Sequence, residues 1–162
     1  MIVTGKERLV RGKIGLMSQP VKRFKLITSS YLFLIKGNKI LLSRRFNTGY
    51  EDGKYSLPAG HLDKGETIEN CLIREAKEEI GITLKKKDIK LVHVMHRQEK
   101  DIRLDFFYTA SKYTGKITNA EPEKCDELQW FELDKLPGNT VSYIKQAIEM
   151  YLQKTLYSEI GF

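Results

Sequence analysis

Three glutamates on one amphipathic segment constrain this chain more than any other feature. The segment reads Thr67-Ile-Glu-Asn-Cys-Leu-Ile-Arg-Glu-Ala-Lys-Glu-Glu-Ile80-Gly81. Thr67 suits a helix cap and Gly81 a helix stop, so the spacing predicts a helix over 67–80. Place Ile68 at the origin of a wheel turning roughly 100° per residue. Leu72, Ile73, Ala76 and Ile80 then fall between about 40° and 140°, which marks the buried face. Glu75 and Glu79 fall at about −20° and +20°, and Glu78 near −80°. Two of the three carboxylates therefore border the apolar stripe. Like charges at i, i+3 and i+4 repel, and partial burial of each costs more. A hard divalent cation such as Mg²⁺ or Mn²⁺, which prefers oxygen ligands, relieves both penalties. A solvated acidic helix face is the other reading that composition allows.

The wider pattern decides between them. Gly60, Glu66, Arg74, Glu75, Glu78, Glu79, Gly81 and Ile82 stand at fixed separations across 23 residues. This resembles the Nudix box, G-x5-E-x7-R-E-U-x-E-E-x-G-U, in which U is a bulky aliphatic. Only Ala76, at the first U, departs from the pattern, and it is still apolar. Eight matched positions make a far more specific signal than a lone glycine-rich motif.

The resemblance implies an enzyme that hydrolyses a nucleoside diphosphate linked to another group, by attack of water on one phosphorus of a pyrophosphate. It implies Glu75, Glu78, Glu79 and the backbone carbonyl of Gly60 as ligands of Mg²⁺, with Mn²⁺ as a substitute. Glu66 and Arg74 are implied as an orienting ion pair. An exposed surface bridge of little worth is the alternative for that pair. Arg45 is the implied phosphate contact, since an arginine fork matches phosphate oxygens; a solvated Arg44–Arg45 pair is the alternative. Glu123 is a candidate base or extra ligand in a loop that also carries Glu121. His61 lies inside the box and is a candidate substrate contact. Phe46, Tyr50, Phe107 and Trp130 could stack on a base, and the identity of that base is open.

Around the box the chain reads as a single domain. Lys25–Lys36 reads as one buried strand, Gly37-Asn38 as a hairpin turn and Lys39–Phe46 as the returning strand. Tyr55–Leu57 reads as a short strand, and Ile89–Arg97 and Ile102–Ala110 as an antiparallel pair. Lys85-Lys-Lys-Asp88 reads as a polar connection placed at the negative end of the helix. A long polar loop over 111–126 precedes a strand at Glu127–Leu133 and an amphipathic helix at about 140–153. The expected fold is α/β of the α+β type: a mixed sheet between the box helix and the C-terminal helix, the α/β/α sandwich that the resemblance implies.

Charge looks informative until it is located. The net charge is +7 over 162 residues. Seven cations against Glu7 put six of those charges in residues 1–25, so the rest of the chain is nearly neutral. Residues 1–23 are therefore expected to be a basic leader and 24–162 the hydrolase domain. Met17 reads like a second translation start, and truncation at residue 16 should leave the domain intact. Two cysteines suggest no disulfide framework and a reducing cytoplasm, and no apolar run reaches membrane-spanning length. The expected partner is a small nucleotide, such as a nucleoside triphosphate, and the protein a monomer or homodimer with no membrane association. An RNA 5′-end pyrophosphohydrolase, supported by the basic leader, is the runner-up. A non-catalytic nucleotide-binding module is third, disfavoured because no box glutamate is missing.

Overall fold

The structure is a computed structural model that describes residues 24–162. The expected leader, residues 1–23, lies outside the described residues. Nine strands and two helices follow in order. The strands are β1 (Ile27–Phe33), β2 (Ile35–Lys36), β3 (Lys39–Arg45), β4 (Tyr55–Ser56), β5 (Ala59–His61), β6 (Ile89–Gln98), β7 (Ile102–Ala110), β8 (Cys125–Glu132) and β9 (Tyr157–Ile160). The helices are α1 (Ile68–Ile80) and α2 (Ser142–Leu152).

The single expected sheet is two sheets. Five strands form a mixed sheet in the order β5-β1-β7-β6-β9, with β1 parallel to β7 and β6 parallel to β9. In the second, antiparallel sheet β3 pairs with β2 and β4 along one side and with β8 along the other. The division falls at Leu34, where the expected strand over 25–36 breaks into β1 and β2. The Gly37-Asn38 turn forms as read. Strands β5 and β9 were not anticipated. Both are short and gain their status from pairing with distant partners, which periodicity cannot reveal.

Alternation along the strands builds a core on each face. Tyr31 and Phe33 of β1 and Ile40 and Leu42 of β3 join α2 in one cluster. Leu32, Leu34 and Leu41 join Leu72, Ala76 and Ile80 of α1 in the other. The helices therefore lie on opposite faces, as the sandwich requires. Each large apolar side chain buried this way contributes about 1.5–3 kcal/mol.

Helix α1 has the predicted boundaries. Thr67 Oγ1 accepts from the Asn70 amide at 3.3 Å. Gly81 ends the helix in the left-handed region, φ 73°; its N–H donates to the Lys77 carbonyl at 3.2 Å and the Ile82 N–H to the Ala76 carbonyl at 3.3 Å. The helix packs against β1 and β5. Because β5 is itself an edge strand on β1, this packing brings Gly60 alongside the glutamates.

Candidate active site

The antiparallel register of β5 on β1 sets Gly60 opposite Ser30. Gly60 then meets α1 so closely that a Cβ there would overlap the Glu75 carboxylate. Only glycine lets backbone and carboxylate approach to this degree. One residue earlier, the Ala59 amide donates to Glu79 Oε2 at 2.9 Å. The helix and the edge strand are thus joined at two successive residues.

Arg74 organises the rest of the helix face. Its Nε and Nη2 form a fork on Glu66, at 3.1 and 3.0 Å. Its Nη1 donates to Glu75 Oε1 at 2.6 Å and to Glu78 Oε2 at 3.0 Å. The hydrogen bonds from Arg74 hold the Glu66 carboxyl below its ordinary value. Those same bonds raise Arg74, so it stays charged. Glu66 and Arg74 are paired, and Arg74 Nη2 also donates to the His61 carbonyl at 3.3 Å and to Cys71 Sγ at 3.7 Å.

Burial dominates the two glutamates nearest the strand. Glu75 is raised chiefly by desolvation, against the pull of Arg74. Glu79 is pushed up to about 8, first by burial and then by Glu75 and Glu121. Such shifts mark groups whose charged form lacks sufficient compensation. Glu78, as its wheel angle foretold, is the exposed one. Among the described residues no three His, Cys, Asp or Glu side chains converge closely enough to hold an ion as they stand. Arg74 Nη1 bridges Glu75 and Glu78. The expected three-glutamate cluster is in this respect two carboxylates at the strand and one at the rim. The donors that face each other there, the Glu75 and Glu79 carboxylates beside the Gly60 backbone, are all oxygen and fit a hard divalent cation.

A cavity of about 400 Å³ opens over these groups. Gly60, His61, Arg74, Glu75 and Glu79 line it from one side, and Arg45, Glu121 and Lys124 from the other. The loop glutamate in the cavity is therefore Glu121. Glu123 is exposed and does not reach the cavity. Helical periodicity orders residues on a helix but not in a loop, where the backbone trace decides. Here the Ala120 amide donates to the Glu79 carbonyl at 3.0 Å, which ties the loop to α1 and brings Glu121 inward. Lys124 Nζ lies 2.8 Å from Glu121 Oε1.

Arg45 and Arg44 point to different duties. Arg45 lines the cavity; its Nε donates to the Tyr50 carbonyl at 2.7 Å and its Nη2 to Thr48 Oγ1 at 2.9 Å. Arg44 is committed to Asp126 and Glu127 on β8. A second cavity of about 340 Å³ adjoins the first and shares Arg45, Thr48, Ala59, Gly60 and His61 with it. Ser29, Tyr31, Tyr50, Ser56, Arg103 and Tyr143 complete its walls. His61 Nε2 lies 3.0 Å from Arg103 Nη1. Since a guanidinium only donates, His61 carries its proton on Nδ1. Burial first and Arg103 second lower its pKa, favouring this neutral form.

Of the four aromatic candidates only Tyr50 reaches a cavity. Phe107 is core, stacked between Tyr31 and Phe33. Trp130 packs in the α1 cluster. Phe46 is exposed and lines neither cavity. His93 and His96 stand away from the site: His93 bonds to Thr155 and Ser158, and His96 packs on Phe162. Sequence reasoning missed Arg103 and Tyr143. The alternation that separates Arg103 and Asp105 from Leu104 was a usable signal for the first; nothing local announced the second.

A family model described as the NUDIX domain matches residues 26–151. The NAD-capped RNA hydrolase NudC of Stutzerimonas stutzeri is 29% identical over 84% of this chain and 48% of its own length. The protein of that name from Pseudomonas putida KT2440 is 27% identical over 93% of this chain and 54% of its own length. The chain thus spans about half the length of the curated relatives it matches. Among solved structures, the MutT NUDIX hydrolase from Burkholderia pseudomallei superposes with a TM-score of 0.71 at 27% identity, covering 78% of this chain and 98% of that one. The MutT protein from Methanosarcina mazei Go1 shares the fold at TM-score 0.69 and 22% identity.

Proposed function

The chain belongs to the Nudix family, and from that premise we propose that it hydrolyses the pyrophosphate bond of a nucleoside diphosphate linked to another group. The observation that carries this reading is the fit of Gly60 against Glu75, with Glu79 held by the preceding residue, Ala59. That fit has no structural need for two partly buried carboxylates; an aliphatic pair would pack better.

Each residue has a role in this reading. Glu75, Glu79 and the Gly60 carbonyl would hold a divalent cation, with Glu78 joining from the rim as Arg74 shifts. The cation would supply charge neutralisation and an activated water. Glu66 fixes the Arg74 guanidinium, and through it the face that α1 presents. Arg45 at the far wall of the cavity can take phosphate oxygens. Glu121 is placed to accept a proton from water. His61, neutral with Nδ1–H, offers a donor to the substrate in the adjoining cavity. Mg²⁺ or Mn²⁺ is the proposed ion, and residues 24–162 the hydrolase domain. The free thiols of Cys71 and Cys125 support a reducing, cytoplasmic setting.

The decisive experiment assays a panel of nucleoside diphosphate derivatives with Mg²⁺ or Mn²⁺ and identifies the products by mass. Cleavage between the two phosphorus atoms that stops in chelator is the expected result. No turnover of any member, or turnover that survives chelation, would sink the reading. An RNA 5′ end is the second reading, favoured by the names of the relatives. It applies the same pocket to a polymer.

A further inference from the structure

Beyond Gly81 the chain builds a second basin. Thr83 and Thr114 exchange backbone hydrogen bonds at 2.8 and 3.1 Å, and the Ser111 amide donates to the Asp88 carbonyl at 2.8 Å. These bonds clasp the connection after α1 to the segment that leaves β7. Between them lies an open groove of about 450 Å³ with Lys85, Lys87, Lys112 and Tyr113 on its walls. Asp88 is the one acid lining it. Lys86 is drawn off towards Glu69, 3.9 Å away, whereas none of the three groove lysines has a carboxylate within 4.0 Å among the described residues. Residues 26–162 carry almost no net charge. Three lysines around one groove are therefore a local concentration of charge, set apart from the carboxylates of the active-site cavity.

Tyr113 gives the groove its chemical character. It is 40% exposed. A free phosphate needs cations but no aromatic surface, and a duplex hides the faces of its bases. A basic track beside an exposed aromatic side chain is what a single strand requires, phosphates on the lysines and one base on the ring.

Groove and active site are two ends of one strap. Ser111–Thr114 line the groove, and Glu121 lines the active-site cavity. Between them the Thr118 amide donates to the Ile80 carbonyl at 3.2 Å and the Ala120 amide to the Glu79 carbonyl at 3.0 Å. Gly115 crosses the end of α1 with φ 97°, where an added Cβ would meet the Gly81 carbonyl at 2.8 Å. Thr114 and Glu121 are seven chain steps apart, so the two basins lie at most roughly 25 Å apart.

We propose that this groove holds the ribose-phosphate backbone of a single-stranded RNA whose 5′ end enters the carboxylate cavity. The proposal rests on the hydrolase reading for the fate of that end; the groove itself is testable without it. The test uses the full chain. A labelled single-stranded RNA oligonucleotide with a 5′ pyrophosphate-linked nucleoside is titrated without divalent metal and followed by fluorescence anisotropy. The triple variant Lys85→Ala, Lys87→Ala, Lys112→Ala should weaken binding roughly tenfold or more and lower the salt slope by roughly one per contacting lysine. Tyr113→Ala should weaken it roughly fivefold or more at unchanged salt slope. A control triple of equal charge, Lys36→Ala, Lys39→Ala, Lys145→Ala, should stay within about twofold of the native protein.

With metal restored, the groove variants should raise KM for the RNA substrate and leave hydrolysis of the matching dinucleoside diphosphate unchanged. Equal loss of RNA binding in the groove and control triples would overturn the proposal. So would an unchanged Tyr113→Ala protein that inorganic polyphosphate competes for as well as RNA does, since that marks a site for anions alone. Failure of the native protein to cleave the dinucleoside diphosphate would count against the hydrolase reading, while the anisotropy series would still decide the groove.

Discussion

On the α1 side of the five-stranded sheet, Arg74 lies within 4 Å of four carboxylates: Asp63, Glu66, Glu75 and Glu78. On the α2 side, Arg97 meets Asp105 at 3.0 Å and the exposed Glu99 at 2.8 Å, and lies 3.7 Å over the Tyr143 ring. Arg97 and Asp105 are both buried. The contrast separates two uses of charge. Arg97 and Asp105 pair inside the fold, with the surface carboxylate of Glu99 and the ring as further partners for the cation. Around Arg74 the negative charges outnumber the positive one, and Glu79 stands beside them with a raised pKa. An ion pair buried in the core is the closed side of the comparison and belongs to architecture. An excess of carboxylates at a cavity is the open side and invites a ligand.

The largest expected effect breaks the open side. Glu79→Gln should lower turnover by roughly a thousandfold or more, because the donor set for the cation is incomplete. The amide oxygen of Gln can still accept from Ala59, so the melting temperature of the apo-protein should stay level or rise slightly. A normal rate in that variant would erase the distinction between the two arginines.

The closed side should answer in stability instead. Arg97→Met leaves Asp105 buried alone and should cost about 3–5 kcal/mol in urea unfolding. A loss under about 1 kcal/mol would show that the pair is hydrated and not a buried one.

Next in size, Glu121→Gln should slow turnover roughly a hundredfold while Glu123→Gln leaves it unchanged, measured on the same substrate. The reverse result would move the working glutamate out of the cavity. Arg45→Ala should cost roughly tenfold in kcat/KM with little change in melting temperature, since its partners are loop atoms. Unchanged kinetics on every accepted substrate would make it a loop brace only.

The smallest effect lies with His93, buried between Thr155 and Ser158 at 2.8 and 2.9 Å. The Thr155 carbonyl can only accept, so Nδ1 carries the proton. Burial lowers the folded pKa below the unfolded value of about 6.5. The unfolded chain therefore binds the extra proton first, and stability present above about pH 6.5 declines as the pH falls towards the lowered folded pKa. His93→Gln should flatten melting temperature against pH in that window. An equal slope in both proteins would assign the decline to other groups.

The chemistry of α1 was legible because one helix carries it. Thr67, Gly81 and the wheel angles of Glu75, Glu78 and Glu79 all follow from local spacing, and each is where periodicity put it. Burial and exposure of the three glutamates came out in the expected order for the same reason. What lay beyond reach depends on long-range pairing. Strands β5 and β9 exist through β1 and β6, the break at Leu34 through the second sheet, and the position of Glu121 in the cavity through the bonds that tie its loop to the end of α1. Phe107 and Trp130 illustrate the same limit in side chains. An aromatic residue in a strand looks alike whether it lines a cavity or fills a core, and neighbours distant in sequence make the difference.

The parallel pairing of β1 with β7 has a consequence for how the molecule comes into being. Ile27 waits for Arg103, nearly half the chain later, and Leu41 for Trp130. Closing such long loops precedes any return from the contacts they make, so refolding is expected on the order of milliseconds to seconds and not microseconds. Gly60, Glu75 and Glu79 can assemble early, since β1, β5 and α1 are near neighbours along the chain. Glu121 cannot, because the strap that carries it starts only after β7. During synthesis, then, α1 emerges after the β1 and β3 leucines that cover its apolar side, and the cavity acquires the Glu121 part of its wall last.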